Sequence, residues 1–163
     1  MIRVKKSIFA VLVVIWMLFI FSMSSQNGEV SSNTSGNTIK VVLSIVPKFR
    51  EQPKEVQDNI VESLQLIGRK SGHFIGYMML GVLSMLLLLK FKNINKKPLF
   101  AFSICVIYAI SDEIHQLFVP GRTGQLKDVI IDSCGSIVGI AIVLVFIKLL
   151  QIKRNRKKRI KSI

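Results

Sequence analysis

Acidic residues are scarce in this 163-residue chain: nine Asp and Glu stand against 23 Lys and Arg, a formal net charge of +14. Cysteine is rarer still. Cys105 and Cys134 are the only two, with no CxxC and no His/Cys cluster, which argues against a disulfide framework or a structural zinc site. Walker A, HExxH and Rossmann signatures are missing. Ser24 and Ser25 lack the G-x-S-x-G setting of a hydrolase nucleophile. Neither a metal nor a cofactor is expected.

What the chain has in quantity is apolar sequence. Half of its residues are hydrophobic, too many for a disordered basic tail. The apolar residues come in long blocks with short basic clusters between them, unlike the interspersed pattern of a soluble nucleic-acid binder. Blocks at residues 7–23, 73–89, 99–119 and 129–150 are each near the roughly 20 residues that cross roughly 30 Å of hydrocarbon. The fold class read from this pattern is all-α, a polytopic membrane protein with a four-transmembrane-helix bundle. Arg3, Lys5 and Lys6 precede the first block, as they would in a signal peptide. The block has no A-x-A-like cleavage site and is bulkier than an h-region, so an uncleaved helix is expected.

Orientation follows from the basic residues. The segment before helix one, the one joining helices two and three, and the C-terminal end from Lys148 onward carry 15 Lys and Arg; the other two connections carry eight. The positive-inside rule then puts both termini in the cytoplasm of a cell-membrane protein. Residues 24–72 become a long extracytoplasmic first loop, polar over 22–38 and mildly amphipathic over 39–49. After Pro53 a surface helix is expected, with Val56, Ile60, Leu64 and Ile67 on one side. Residues 151–163 form a basic cytoplasmic tail, read as an anchor on anionic lipid and not as a nucleic-acid site.

Polar residues in or beside the spans carry the functional signal, because a charge deep in a bilayer costs roughly 2.5–3.5 kcal/mol on insertion scales. Arg69, His73 and Tyr77 share one face at i, i+4, i+8, with Lys70 beside them. Asp112, Glu113, His115 and Gln116 end helix three, Arg122 follows a Pro-Gly turn, and Asp128 and Asp132 open helix four. Topology brings these residues and Ser24-Ser25-Gln26 to one extracytoplasmic end. Gly135 and Gly139, with Gly68, Gly72 and Gly76, provide small-residue packing faces. They suit contacts within one chain and leave room for a homo-oligomer. A plainer reading also fits: Arg69, Lys70, Arg122 and Lys127 balance Asp112, Glu113, Asp128 and Asp132 one for one.

RKSGHFIGYMMLG (69–81) and SDEIHQLFVPGRTGQLKDVIIDSCGSIVG (111–139), with SSQ at 24–26, resemble the signature regions of the VanZ-like family of small bacterial membrane proteins. The resemblance covers nearly the whole chain. Arg69, Lys70, His73 and Tyr77 match the first region, and Asp112, Glu113, Gln116, Arg122, Asp128, Asp132 and Gly135 match the second. Gly76 stands where the family often has Glu, so any chemistry of that Glu is missing here. The resemblance implies a role at the cell envelope, linked through the family's namesake to teicoplanin-type glycopeptide resistance, and names no reaction.

Two function classes stand side by side. In one, an outward-facing polar site binds a lipid-linked cell-wall precursor, another surface component or the glycopeptide itself, with membrane lipids as surroundings. Arg69, Lys70, Tyr77, Gln116, Arg122, Asp128 and Asp132 are the binding candidates. In the other, a membrane enzyme acts on an anionic lipid or polyprenyl-linked substrate, with His73 and Asp112 or Glu113 as acid and base. A proton-coupled transporter fits less well, since four helices without internal repeats leave little room for alternating access. The orientation is directly testable: a membrane-impermeant maleimide should label Val30→Cys on intact cells and leave Asn95→Cys untouched. Labelling of position 95 from outside would reverse it.

Overall fold

The computed structural model describes residues 6–92 and 96–160. Arg3, Lys5, Asn95 and Lys161, which enter the orientation argument, lie outside the described residues. Among those described, every regular element is helical: α1 (Lys6–Ser24), α2 (Gly28–Leu43), α3 (Pro47–Arg50), α4 (Lys54–Leu88), α5 (Lys97–Gln116) and α6 (Leu126–Ile160). Four stretches are long and apolar enough to cross a membrane: α1, Ile67–Leu88 of α4, α5, and Leu126–Lys157 of α6. The chain is a multi-pass membrane protein built as a four-helix bundle.

Its burial pattern is the reverse of that of a water-soluble domain. Asp112, Glu113, Gln116 and Asp132 are buried between helices, while Leu18 on α1, Ile107 on α5 and Phe146 on α6 are more than half exposed. Such a surface is stable only where the surroundings are apolar. Apolar contacts fill two layers along the bundle, one around Ile20, Tyr77, Leu80 and Cys105, the other around Met85, Leu88, Ala101 and Ile140. Beyond the second layer lies a basic end, where Lys6 sits over the Phe91 ring and Lys90 over the Phe9 ring.

Two sequence expectations need correction. The stretch 22–38, expected as polar loop, is helical from Gly28 onward, where it belongs to α2. Asn27 caps α2 by accepting the Val30 N–H at 2.8 Å, and Glu29 lies in the first turn, where the helix dipole favours negative charge. These two residues outweigh the low helix propensity of the Ser, Asn and Gly that follow. Second, the surface helix expected after Pro53 and the span expected from 73 are one helix of 35 residues, α4. Isolated glycines at 68 and 72 lower helix propensity without breaking a helix held by packing. At about 1.5 Å per residue α4 is about 52 Å long, so its first turns project beyond a ~30 Å hydrocarbon core.

The remaining boundaries move less. α5 starts at Lys97 because Pro98 suits a first helical turn, and it ends at Gln116, before the turn at Pro120. The basic run after residue 150 continues α6 as far as Ile160, since Lys and Arg are good helix formers.

α4 and α6 make the most extensive pairing in the bundle. A Cβ on Gly81 would run into the Ser136 carbonyl; one on Gly135 would meet the Phe74 carbonyl, and one on Gly139 the Met78 carbonyl. The Gly135/Gly139 face therefore serves a close contact within the chain, whereas Gly72 has no atom within 4 Å of a Cβ and Gly76 only Ile20 at 3.8 Å. Gly139→Ala should cost about 1–3 kcal/mol through overpacking against backbone, measured as a lower unfolding temperature in detergent. Gly72→Ala, with no atom within 4 Å of the new Cβ, should leave stability unchanged or raise it by up to about 1 kcal/mol.

Candidate functional site

At the end of the bundle opposite Lys6 and Lys90, four helix ends meet. α4 supplies Arg69, Lys70, His73 and Tyr77 from one face, two turns deep. α5 ends in Asp112, Glu113 and Gln116, and α6 begins with Asp128 and Asp132 one turn apart. The Lys70 ammonium pairs with Asp128 at 2.7 Å. His73 Nδ1 lies 3.9 Å from Asp132 Oδ2, close enough for electrostatic contact and too far for a hydrogen bond. Ser24, the last residue of α1, donates its hydroxyl to Asp112 at 2.7 Å. Glu113 accepts the Gln125 N–H at 2.8 Å, tying α5 to the segment before α6.

Arg122 does something different from neutralising an acid. Its guanidinium donates to the backbone carbonyls of Gln26 at 3.2 Å and Met23 at 3.4 Å and to the Ser31 hydroxyl at 2.8 Å. The turn that carries it is fixed to the same corner. Gly121 has a φ of +72°, the Gly28 N–H donates to the Pro120 carbonyl at 3.0 Å, and a side chain at Gly28 would collide with the Gly121 carbonyl. Arg122 thus latches the α5–α6 connection onto the junction of α1 and α2. Burial lowers its pKa, and so does the nearby Arg69 guanidinium, while Asp112, Glu113 and Asp128 oppose them.

Two cavities open beside these residues. A polar one of about 150 Å³ lies between Lys70, Gln116, Thr123, Gln125, Asp128 and Asp132. A larger one of about 290 Å³ runs between α1, α2 and α4. Arg69, His73 and Arg122 line both, so they form the wall between them. Around that wall six buried polar atoms have no hydrogen-bond partner: Tyr77 Oη, Asp112 Oδ1, Glu113 Oε1, Gln116 Nε2 and both oxygens of Asp132. Among the described residues no group of His, Cys, Asp and Glu is arranged to hold a metal ion.

The family model described as VanZ/LLP1 matches residues 9–148, most of the chain and the whole of this site. The chain belongs to the VanZ/LLP1 family. No curated protein and no solved structure matches it.

Within this VanZ/LLP1 chain the sequence candidates divide by position. Arg69, Lys70, His73, Tyr77, Gln116, Arg122, Asp128 and Asp132 all line a cavity, whereas Asp112 and Glu113 line neither and lie behind the walls. A direct pairing of Asp112 or Glu113 with Arg122 is not formed. Both carboxylates take neutral donors, because the Arg122 side chain extends toward α1 and α2. The one-for-one balance of four cations and four acids also fails: of those eight residues only Lys70 and Asp128 form an ion pair, and Lys127 is exposed.

Sequence reading missed α2 as a wall of the site, together with Ser31 and Gln125. The usable signal was Asn27 followed by Glu29, a helix start inside a segment whose composition looks like a loop. His115, on the same helix end, makes a 3.1 Å contact with the Ser25 hydroxyl and lies 4.5 Å from the Phe21 ring, holding α5 to α1.

The latch predicts a measurable coupling. Arg122→Ala should lower stability by about 1.5–3 kcal/mol, the range for hydrogen bonds to a charged group. Ser31→Ala should cost less alone and add little in the Arg122→Ala background. Simple additivity in a double-mutant cycle would show that the 2.8 Å contact carries no energy.

Proposed function

We propose that this VanZ/LLP1 protein sits in the bacterial cell membrane with both termini in the cytoplasm, and that its polar end faces outward and binds a lipid-linked or surface component of the envelope. In that role it lowers susceptibility to teicoplanin-type glycopeptides. The observation that carries the reading is the set of unpartnered buried atoms on cavity-lining residues, Tyr77 Oη, Gln116 Nε2 and both oxygens of Asp132, around two cavities that share one wall. A buried polar group without a partner costs roughly 1–3 kcal/mol, and a ligand or bound water held there would relieve that cost. Family membership supports the envelope role, and the charge distribution supports the orientation.

A second reading, a membrane enzyme acting on an anionic lipid or polyprenyl-linked substrate, has one favourable observation. His73 lines both cavities and stands 3.9 Å from the fully buried Asp132, so a small ring movement would let Asp132 orient the imidazole as a base. On this reading Asp132, which lines the polar cavity beside His73, joins Asp112 and Glu113 as a carboxylate candidate.

His73→Ala and Asp112→Asn should each abolish a resistance phenotype while membrane levels stay normal, read by susceptibility testing beside immunoblots of membranes. Full activity in both at normal levels would sink the ligand-site reading. Purified protein incubated with lipid-linked cell-wall precursors and with phospholipids, then analysed by mass spectrometry, separates the two classes. No product is expected, and turnover abolished by Asp132→Asn would establish the enzyme.

A further inference from the structure

α1 and α2 each pack against α4 and make little contact with one another. The space left between them is the 290 Å³ cavity, a cleft lying directly over the α4 backbone. Its floor is bare. A Cβ at Gly72 would meet nothing within 4 Å, and one at Gly76 would touch only Ile20, at 3.8 Å. Phe19 and Met23, both exposed, stand at its rim, so the cleft opens onto the apolar exterior of the bundle.

The opposite wall looks polar by composition and is not. Thr34 and Thr38 donate to the carbonyls of Val30 and Thr34 at 2.9 Å, and Ser35 donates to Ser31 and Ser32 at 3.0 Å. With their hydroxyls satisfied by their own helix, these side chains leave hydrocarbon as the main chemistry facing the cleft. At one end the surroundings change abruptly to Arg69, His73 and Arg122. Tyr77, without exposed surface, brings a hydroxyl that has no partner.

Neither guanidinium forms an ion pair among the described residues. Arg69 has no ion pair and no hydrogen bond among the described residues, and Arg122 bonds only to carbonyls and a hydroxyl. The two repel each other, which contributes to the lowered pKa of Arg122. An anion shared by both would relieve the repulsion, and a phosphate, with several acceptor oxygens, suits the whole Arg69 fork together with the Nη1 donors that Arg122 has left.

We propose that the cleft binds a lipid with one hydrocarbon chain and a terminal phosphate, the chain lying over Gly72 and Gly76 and the phosphate held at Arg69 and Arg122. The cleft volume favours one chain over two: about 290 Å³ is at the small end of the roughly 300–1,000 Å³ of small-molecule sites. This assignment rests on the polar end being a ligand site and specifies the ligand's class.

The test uses the full chain in phosphatidylcholine nanodiscs, titrated with tritiated geranylgeranyl phosphate. Binding is read by ligand retained on the discs and by the fluorescence of Trp16. That residue is the only tryptophan in the chain, and its indole donates to the Gly76 carbonyl at 2.8 Å. Saturable binding is expected in the wild type. Gly72→Leu fills the floor without touching the phosphate end and should weaken binding about tenfold or more. Its unfolding temperature should be unchanged or higher, so a misfolded variant is recognised. Arg69→Gln should weaken binding by a similar factor, and dioleoyl phosphatidic acid, with two chains, should compete poorly.

Unchanged affinity in Gly72→Leu with weakened affinity in Arg69→Gln would overturn the cleft assignment and leave the polar ligand site standing. Equal competition by phosphatidic acid would overturn the single-chain claim. Absence of saturable wild-type binding would overturn the proposal as a whole, whereas the ligand-site reading fails separately, on full resistance in His73→Ala and Asp112→Asn.

Discussion

The contact on which the site depends is backbone against backbone, between α4 and α6. Gly81, Gly135 and Gly139 each lie where a side chain would collide with a carbonyl of the facing helix. In a bilayer the lipid tails are as apolar as leucine, so helices are held by close packing and not by the exclusion of water. That packing puts α6 near enough to α4 for Asp132 to reach His73 and for Asp128 to take Lys70. Looser packing at these glycines would separate the cations of one helix from the carboxylates of the next.

From this pairing the rest of the polar end is assembled by connections that cross the bundle. α5 is held to α1 through Ser24 and Asp112, and to the start of α6 through Glu113 and Gln125. Arg122 then reaches back over ninety residues to the α1–α2 corner. The result is a division of labour between two arginines on the same wall. Arg122 is occupied in holding three elements together, and Arg69 retains all its donors. Both line the cavities, but one also braces the wall while the other is left without a partner among the described residues.

The sequence made the membrane class and the four spans legible because length and hydropathy are local properties, read without knowing any contact. It also brought together the residues of the polar end, since alternating crossings alone place the end of α1, the start of the α4 span, the end of α5 and the start of α6 at the same end of the bundle. What it could not supply was the direction of individual side chains. Asp112 and Glu113 are acid/base candidates by residue type alone; in the fold both are buried outside the cavity linings, each with one oxygen satisfied by a neutral donor. Arg122 looked like their partner and is turned away by a Gly121 conformation and a Gly28 contact more than ninety residues off in sequence.

α2 is the clearest case of composition pointing away from structure. Ser, Thr, Asn and Gly over 28–38 read as a loop because those side chains compete with the backbone for hydrogen bonds. Here the competition is resolved within the helix: the hydroxyls of Thr34, Ser35 and Thr38 donate to carbonyls three or four residues back. Such a helix presents an apolar surface from residues that look polar one at a time. The same feature that hid α2 from a sequence reading gives the cleft its hydrocarbon-compatible wall, directly beside guanidinium groups. An apolar trough ending in cations is the complement of an amphiphile with an anionic head, and a chain that needed only to neutralise its own charges would have no use for the trough.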